Sequence, residues 1–283
     1  MNYRHAFHAG NFADVVKHLL LSRILVYLGR KPAPFRYIDT HAGIGRYDLG
    51  GPEASRTGEW QGGIGRLLRV PPPLSLRDLL DPYLKAVGPA GPDGHPLDYP
   101  GSPVLAQRLL RRDDRMLLAE LHPEDAATLR STLGRDKRLK VVERDGYQVL
   151  AAALPPPERR GVVLIDPPFE ERDEFPRLVA ALKSACRKWA TGTYVIWHPI
   201  KDDAAVSAFH HALSEAALPP SCRIDLFRDE TSADPGLRGS GLLVINPPYV
   251  LAEEAGLLLP FLCSTLGDPA ETPFRWTLYN RDT

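Results

Sequence analysis

The chain has 283 residues, room for one large α/β domain or two small ones, and its 35 basic side chains balance 35 acidic ones. Zero net charge argues against a protein that coats nucleic acid indiscriminately, and 43 % hydrophobic with 25 % charged residues is an ordinary soluble composition. No apolar run approaches the ~18 residues of a membrane span, residues 1–12 lack a secretion-signal core, and Cys186, Cys222 and Cys263 are spaced too widely for zinc ligation. A cytoplasmic protein without metal or membrane attachment is expected.

Asn11 to Leu28 is predicted to be helical. Asn11 can cap it, Asp14 suits its first turn, and Phe12, Val15, Val16, Leu19, Leu20, Ile24 and Tyr27 form an apolar stripe. Asp14, Lys17, His18 and Leu21 share another side. Residues 1–36 carry six Lys or Arg against Asp14 alone, a local excess of +5. Such a segment would steer a polyanion if exposed, and a solvated helix face plus a loop explains the count equally well.

After Pro32 and Pro34, a strand at Phe35–Ile38 runs into Asp39-Thr40-His41-Ala42-Gly43-Ile44-Gly45. Met116–Ala119 ends in Glu120, Leu139–Val142 leads to Asp145-Gly146, Val162–Ile165 ends in Asp166, and Thr193–Trp197 ends in His198-Pro199. Helical patterns at Val104–Arg112, Pro123–Leu133, Tyr147–Leu154 and Phe175–Trp189 alternate with them, which implies a parallel, doubly wound sheet. Cys222–Arg228 and Gly241–Ile245 have no helix between them and are expected to close the sheet as an antiparallel pair. Seven strands, the last antiparallel, outline the class I (Rossmann-like) methyltransferase fold, an α/β architecture. The stretch from Gly45 to Met116 exceeds the dozen or so residues a crossover needs. Residues 50–98, with helical patterns at Ile64–Leu68 and Leu76–Val87, read as a small helical insertion in one domain spanning 1–283.

The strand ends carry the chemistry. Asp39-x-x-x-Gly43-x-Gly45 has the form of a nucleotide-type cofactor loop, in which glycine lets the backbone approach a ligand. Glu120 is placed to accept two ribose hydroxyls, and Asp145 an adenine amine, with Gly146 keeping the backbone clear. One such acid alone reads as a helix cap; three at successive strand ends, followed by Asp166-Pro167-Pro168-Phe169, do not read as four separate caps. Carboxylates suit a sulfonium, whereas a pyrophosphate prefers an uncrowded helix amino terminus, so S-adenosylmethionine is the expected cofactor. Asp166 and the Pro167 carbonyl can hold an exocyclic base amine, with Phe169 stacking on its ring. Asn246-Pro247-Pro248-Tyr249 is the better pattern match, but its strand falls near the expected sheet edge, and it is read as a structural turn. At the amino terminus His5, His8 and His18 lack metal-ligand spacing and suit phosphate, base or cofactor contacts instead.

Tyr3-Arg4-His5 through Lys17-His18, Asp39-Thr40-His41-Ala42-Gly43, Tyr99-Pro100-Gly101-Ser102-Pro103, Glu120-Leu121-His122-Pro123, Ile165-Asp166-Pro167-Pro168-Phe169 and Val244-Ile245-Asn246-Pro247-Pro248 together resemble the RlmJ family of 23S ribosomal RNA adenine-N6 methyltransferases. The resemblance implies cofactor contacts from His18, His41, Ser102, Glu120, Asp145 and Gly146, beside Asp39 and Gly43 of the glycine loop. It places Asp166 at the reacting amine and also among the cofactor contacts, puts Tyr3, His5 and Lys17 near the substrate, and implies the helical insertion. The amino-terminal motif favours RNA over DNA, with 23S rRNA as partner and a monomer as the expected state. Phe169 departs from the commoner tyrosine, which keeps stacking and removes a phenolic hydrogen bond. A DNA adenine-N6 methyltransferase and a catalytically silent RNA-binding protein with a retained cofactor pocket are the alternatives.

Overall fold

The computed structural model describes residues 4–91, 96–171, 173–228, 237–267 and 274–281. In chain order its elements are α1 (Phe12–Gly29), β1 (Arg36–Asp39), β2 (Arg46–Asp48), α2 (Pro52–Thr57), α3 (Glu59–Gly62), α4 (Ile64–Arg69), α5 (Arg77–Val87), β3 (Asp98–Pro100), α6 (Ser102–Leu109) and β4 (Arg115–Glu120). There follow α7 (Pro123–Leu133), β5 (Leu139–Glu143), α8 (Gly146–Ala153), β6 (Gly161–Ile165), α9 (Glu174–Lys188), β7 (Thr193–Ile200), α10 (Asp203–Ser214), β8 (Ser221–Arg228), β9 (Gly239–Ile245), α11 (Leu251–Leu266) and β10 (Phe274–Arg281).

The large sheet has the order β10-β8-β9-β7-β6-β1-β4-β5. β1 runs parallel to both β4 and β6, and β5 and β7 extend the parallel run on either side. β9 enters antiparallel between β7 and β8. This doubly wound, mostly parallel sheet with its seventh strand reversed is the class I methyltransferase fold. β6 is buried at all five positions, as an apolar run covered on both faces must be. The direction in which the sheet grows reverses between β1 and β6, and that switch point sets where a ligand sits.

Several expectations are corrected. β7 does not stop at His198-Pro199 but continues to Ile200, because its ladder with β9 reaches Gly239. β9 is not near the edge: β8 and then β10 lie outside it. α10, α11 and the eighth strand, β10, go beyond the predicted elements. α1 lacks a single buried stripe. Every residue from Phe12 to Leu25 is buried, and it packs against α5, α6 and α11 as a central helix. The basic excess of residues 1–36 is therefore divided, with Arg4, Arg30 and Lys31 exposed and the rest wholly or partly buried. Lys17 and Arg23 are interior, Arg23 donating to both oxygens of Glu254 at 2.8 and 3.0 Å, and Arg36 grips Glu158 in the same way.

α2 to α5 occupy the 50–98 segment, whose base is closed by the β2–β3 pair with Tyr47 opposite Tyr99. Ile64, Leu67, Leu80 and Tyr83 from this segment join the same apolar core as α1. Among the described residues no helix is long and apolar enough to cross a membrane.

Candidate active site

A cavity of about 330 Å³ opens at the carboxyl ends of β1, β4, β5 and β6. Asp39 ends β1 wholly buried and accepts from Tyr37 Oη (2.6 Å), Ser102 Oγ (2.7 Å) and His41 N (3.2 Å). Burial pushes its carboxyl up to about 6 against the pull of those donors. The loop beyond it is tied to both neighbouring strands, Thr40 N donating to Leu164 O and Ala42 N to Ala119 O. Gly43 turns with φ +61°, where a Cβ would meet Tyr47 Oη at 2.3 Å, so only glycine fits. Its N–H donates to Glu120 Oε2 at 2.8 Å, and His122 N–H donates to Oε1 at 2.9 Å. The Glu120 carboxylate is thus aimed by two backbone groups, and each oxygen retains capacity for another donor.

Asp145 caps α8 by accepting from Gln148 N at 3.0 Å, and its other oxygen takes Arg177 Nη2 at 2.7 Å. The Arg177 guanidinium lies over the Tyr147 ring at 4.3 Å, and Tyr147 Oη donates to Glu174 Oε1. At Gly146 an added Cβ would stand 2.0 Å from the Thr40 carbonyl oxygen, so the β1 and β5 loops meet backbone to backbone.

Asp166 follows β6 and meets α1. Lys17 Nζ lies 2.5 Å from Asp166 Oδ2 and 2.8 Å from Asp14 Oδ1, and 5.6 Å from the Trp197 ring centre. Asp14 also accepts from Gly10 N and makes a 2.9 Å contact with His5 Nε2. Burial pulls the lysine pKa down, but the two carboxylates outweigh it and hold Lys17 above its ordinary value. Burial likewise pushes the Asp14 carboxyl up, and His5 and Lys17 overcome it, keeping Asp14 well below its ordinary value. Two carboxylates therefore share one interior ammonium.

His18 Nδ1 is 2.8 Å from Tyr99 Oη, which is 3.1 Å from Tyr83 Oη. Burial pulls His18 down to about 3, His41 to about 4, His198 to about 4 and His210 to about 3. With folded values below the unfolded 6.5, these four stabilise the fold above pH 6.5 and lose that contribution as pH falls toward 4. Asp39, Glu120, Asp225 and His8, all shifted upward, act in the opposite sense, but only Asp39 is displaced on the scale of the four histidines. The thermal midpoint is expected to drop between pH 7 and 5, measured by circular dichroism. A midpoint that holds or rises would contradict four histidines held neutral by the fold.

Residues 32–278 match the family model described as "Ribosomal RNA large subunit methyltransferase D, RlmJ". The chain is 41 % identical over 266 residues to ribosomal RNA large subunit methyltransferase J of Escherichia coli, with 94 % of each chain covered. The protein of the same name from Haemophilus influenzae is also 41 % identical, over 267 residues and 94 % of each chain. The chain belongs to the RlmJ family. A crystal structure of a Legionella pneumophila protein covers 96 % of this chain and 98 % of its own, with a TM-score of 0.84 and 35 % identity.

In this RlmJ-family fold His5, Lys17, His18, His41, Gly43, Ser102, Glu120, Asp145, Gly146, Asp166 and Pro167 all line the one cavity. Asp39 does not: it lies beneath the loop and holds its shape. Phe169 stands beside the cavity in a left-handed backbone conformation (φ 51°), its ring 5.0 Å from Phe175 and 5.8 Å from Trp197. Tyr3 lies outside the described residues. Asn246 sits at the opposite end of the sheet, where its side chain donates to Ala190 O (2.7 Å) and Gly192 O (2.8 Å), a turn held by its own hydrogen bonds. Thr40, Tyr47, Tyr147 and Arg177 also line the cavity, beyond the residues the sequence singled out. Tyr147 follows Gly146 directly and lies within reach of a motif reading; Arg177 arrives from α9, whose apolar stripe shows the packed face but not that Arg177 reaches Asp145, 32 residues earlier.

Proposed function

We propose that this chain transfers the methyl group of S-adenosylmethionine to N6 of a specific adenine in 23S ribosomal RNA, working as a single-domain monomer. The observation that carries this reading is Asp166-Pro167-Pro168 on the wall of a cavity whose described lining holds seven carboxylates against two permanent cations, Lys17 and Arg177. An acidic cavity attracts a sulfonium and tolerates a neutral base, and it repels phosphate. The residues fit the cofactor. Glu120 would accept the ribose hydroxyls and Asp145 the adenine amine, with Gly43 and Gly146 allowing close backbone approach. Bound there, the cofactor supplies an electrophilic methyl group on sulfur.

An adenine N6 amine is a poor nucleophile because its lone pair is delocalised into the ring. Asp166 and the Pro167 carbonyl would accept its two N–H bonds and turn the lone pair toward the methyl. Positioning and fixed charge then supply most of the acceleration. As nitrogen gains its methyl it must shed a proton, and Asp166 is the acceptor within reach. The same acidic wall that keeps phosphates out admits the base alone, which suits an adenine taken out of its helix and stacked on the Phe169 side.

The test is transfer of tritiated methyl from S-adenosylmethionine to protein-free 23S rRNA from cells lacking this protein, and to duplex DNA, followed by nucleoside chromatography. Label is expected as N6-methyladenosine in 23S rRNA. Label confined to DNA, or found on a ring nitrogen or a ribose, would overturn the reading. No turnover on rRNA or ribosomal particles would leave a silent RNA-binding protein.

A further inference from the structure

The Asn246-Pro247-Pro248-Tyr249 turn takes no part in the catalytic cavity and instead lines a second cleft of about 460 Å³. This cleft lies at the opposite pole of the sheet, between the end of α1, the entry to β6 and the turn after β9. Gly161, at the start of β6, lines it; at ~3.3 Å per residue of strand, Asp166 is roughly 17 Å away through the sheet.

Its charge is the reverse of the catalytic cavity. Arg30, Lys31, Arg159 and Arg160 line it, with no carboxylate among its described lining residues. Arg160 is occupied by the carbonyls of Ala33 and Leu28. Arg30 leans over the Tyr27 ring, 3.5 Å from a Glu254 that Arg23 already grips. Lys31 and Arg159 are exposed, and neither forms an ion pair among the described residues. Tyr249 shares the lining with them, 81 % exposed and edge-on to Tyr27 at 5.7 Å, and directly follows two stiff prolines.

The acidic catalytic cavity can take a base but not grip a phosphate backbone. A neutral chain that binds RNA must therefore find its phosphate contacts elsewhere. We propose that this cleft is a second RNA contact, holding ribose-phosphate on Lys31, Arg159 and Arg30 with an unpaired base against Tyr249. Cations beside an exposed aromatic face are the combination that single-stranded nucleic acid uses, and an acidic protein segment would need the cations alone. The proposal rests on the reading that RNA is the substrate.

The test compares wild type with Tyr249→Ala and with Lys31→Glu/Arg159→Glu, using intact 23S rRNA and a short target hairpin in methyl transfer and filter binding. Circular dichroism and cofactor binding serve as controls for folding. With intact rRNA, KM is expected to rise about tenfold for the charge reversal and several-fold for Tyr249→Ala, at unchanged kcat and cofactor affinity. The slope of log affinity against log salt should become shallower by about 1.4 to 1.8, because two cations no longer neutralise phosphates. On a short hairpin that cannot reach both poles, the variants should match wild type. Unchanged KM and salt slope on intact rRNA would overturn the second contact while leaving the proposed activity standing. A loss confined to the charge reversal, with an acidic peptide competing, would assign the cleft to a protein and overturn it too. A wild type that methylates no RNA would instead sink the functional reading.

Discussion

Asp166→Ala is expected to lower kcat for methyl transfer by at least ~10³-fold while the cofactor Kd stays within a few-fold. Losing one preorganised charged partner of a reacting group is worth ~10²–10³ in rate, and a misplaced nucleophile loses roughly a further 10². Cofactor affinity is spared because Glu120, Asp145, Gly43 and Gly146 belong to other strands and their loops. Asp166→Asn divides the two duties of the carboxylate. It keeps an oxygen for the amine N–H, loses the charge that faces Lys17, and cannot take up a proton. If Asp166 mainly positions, asparagine should retain at least ~10-fold more activity than alanine, the value of one neutral hydrogen bond. Equal losses would make proton acceptance its indispensable duty. A fully active alanine variant would sink the assignment altogether.

How far the fold is legible in the sequence depends on where each residue finds its partner. β6 is readable because strand, burial and terminus are all local: an unbroken apolar run and then two prolines. The same holds for Asn11, which caps α1 through a neighbour three residues away. α1 is legible as a helix but not as an interior one. Lys17, His18 and Arg23 look like a solvated face until Asp166, 149 residues on from Lys17, and Glu254, 231 residues on from Arg23, are seen to hold two of them. β10 is legible in principle, since Phe274, Trp276 and Leu278 pack on the core and alternate with Arg275 and Thr277, but its partner β8 lies some fifty residues earlier and only the pairing makes it the sheet's eighth strand. At the site, Gly146 stands out as a glycine that keeps a loop clear. The reason it must be glycine is the Thr40 carbonyl, a tertiary contact. Asp39 shows the converse error: an acid at a strand end resembles a ligand, yet Tyr37 two residues earlier and Ser102 from α6 turn it into a structural anchor. Strand-end chemistry identifies the cavity; which acids face it is decided by side chains from far along the chain.

Lys17→Met should both destabilise the protein and stop catalysis, and the two effects can be separated. Methionine keeps most of the lysine volume, so the change is chiefly electrostatic. Without the ammonium, Asp14 remains buried at 2 % exposure, its carboxylate facing the Gly10 amide and His5. Breaking a buried ion pair by removing one member costs about 3–5 kcal/mol. The Gly10 N–H and His5 still compensate the Asp14 charge in part, so the lower end is expected, a fall of roughly 6–12 °C in Tm at 2–4 °C per kcal/mol. Methyl transfer should fall by at least ~10²-fold, because Asp166 no longer has the partner that fixes its orientation. Adding Asp14→Asn to Lys17→Met removes the stranded charge, and stability should partly return. Activity should not, since Asp166 is still without its ammonium. Recovery of both would mean that Lys17 merely neutralises Asp14, whereas stability regained without turnover assigns the lysine to holding the carboxylate that meets the amine.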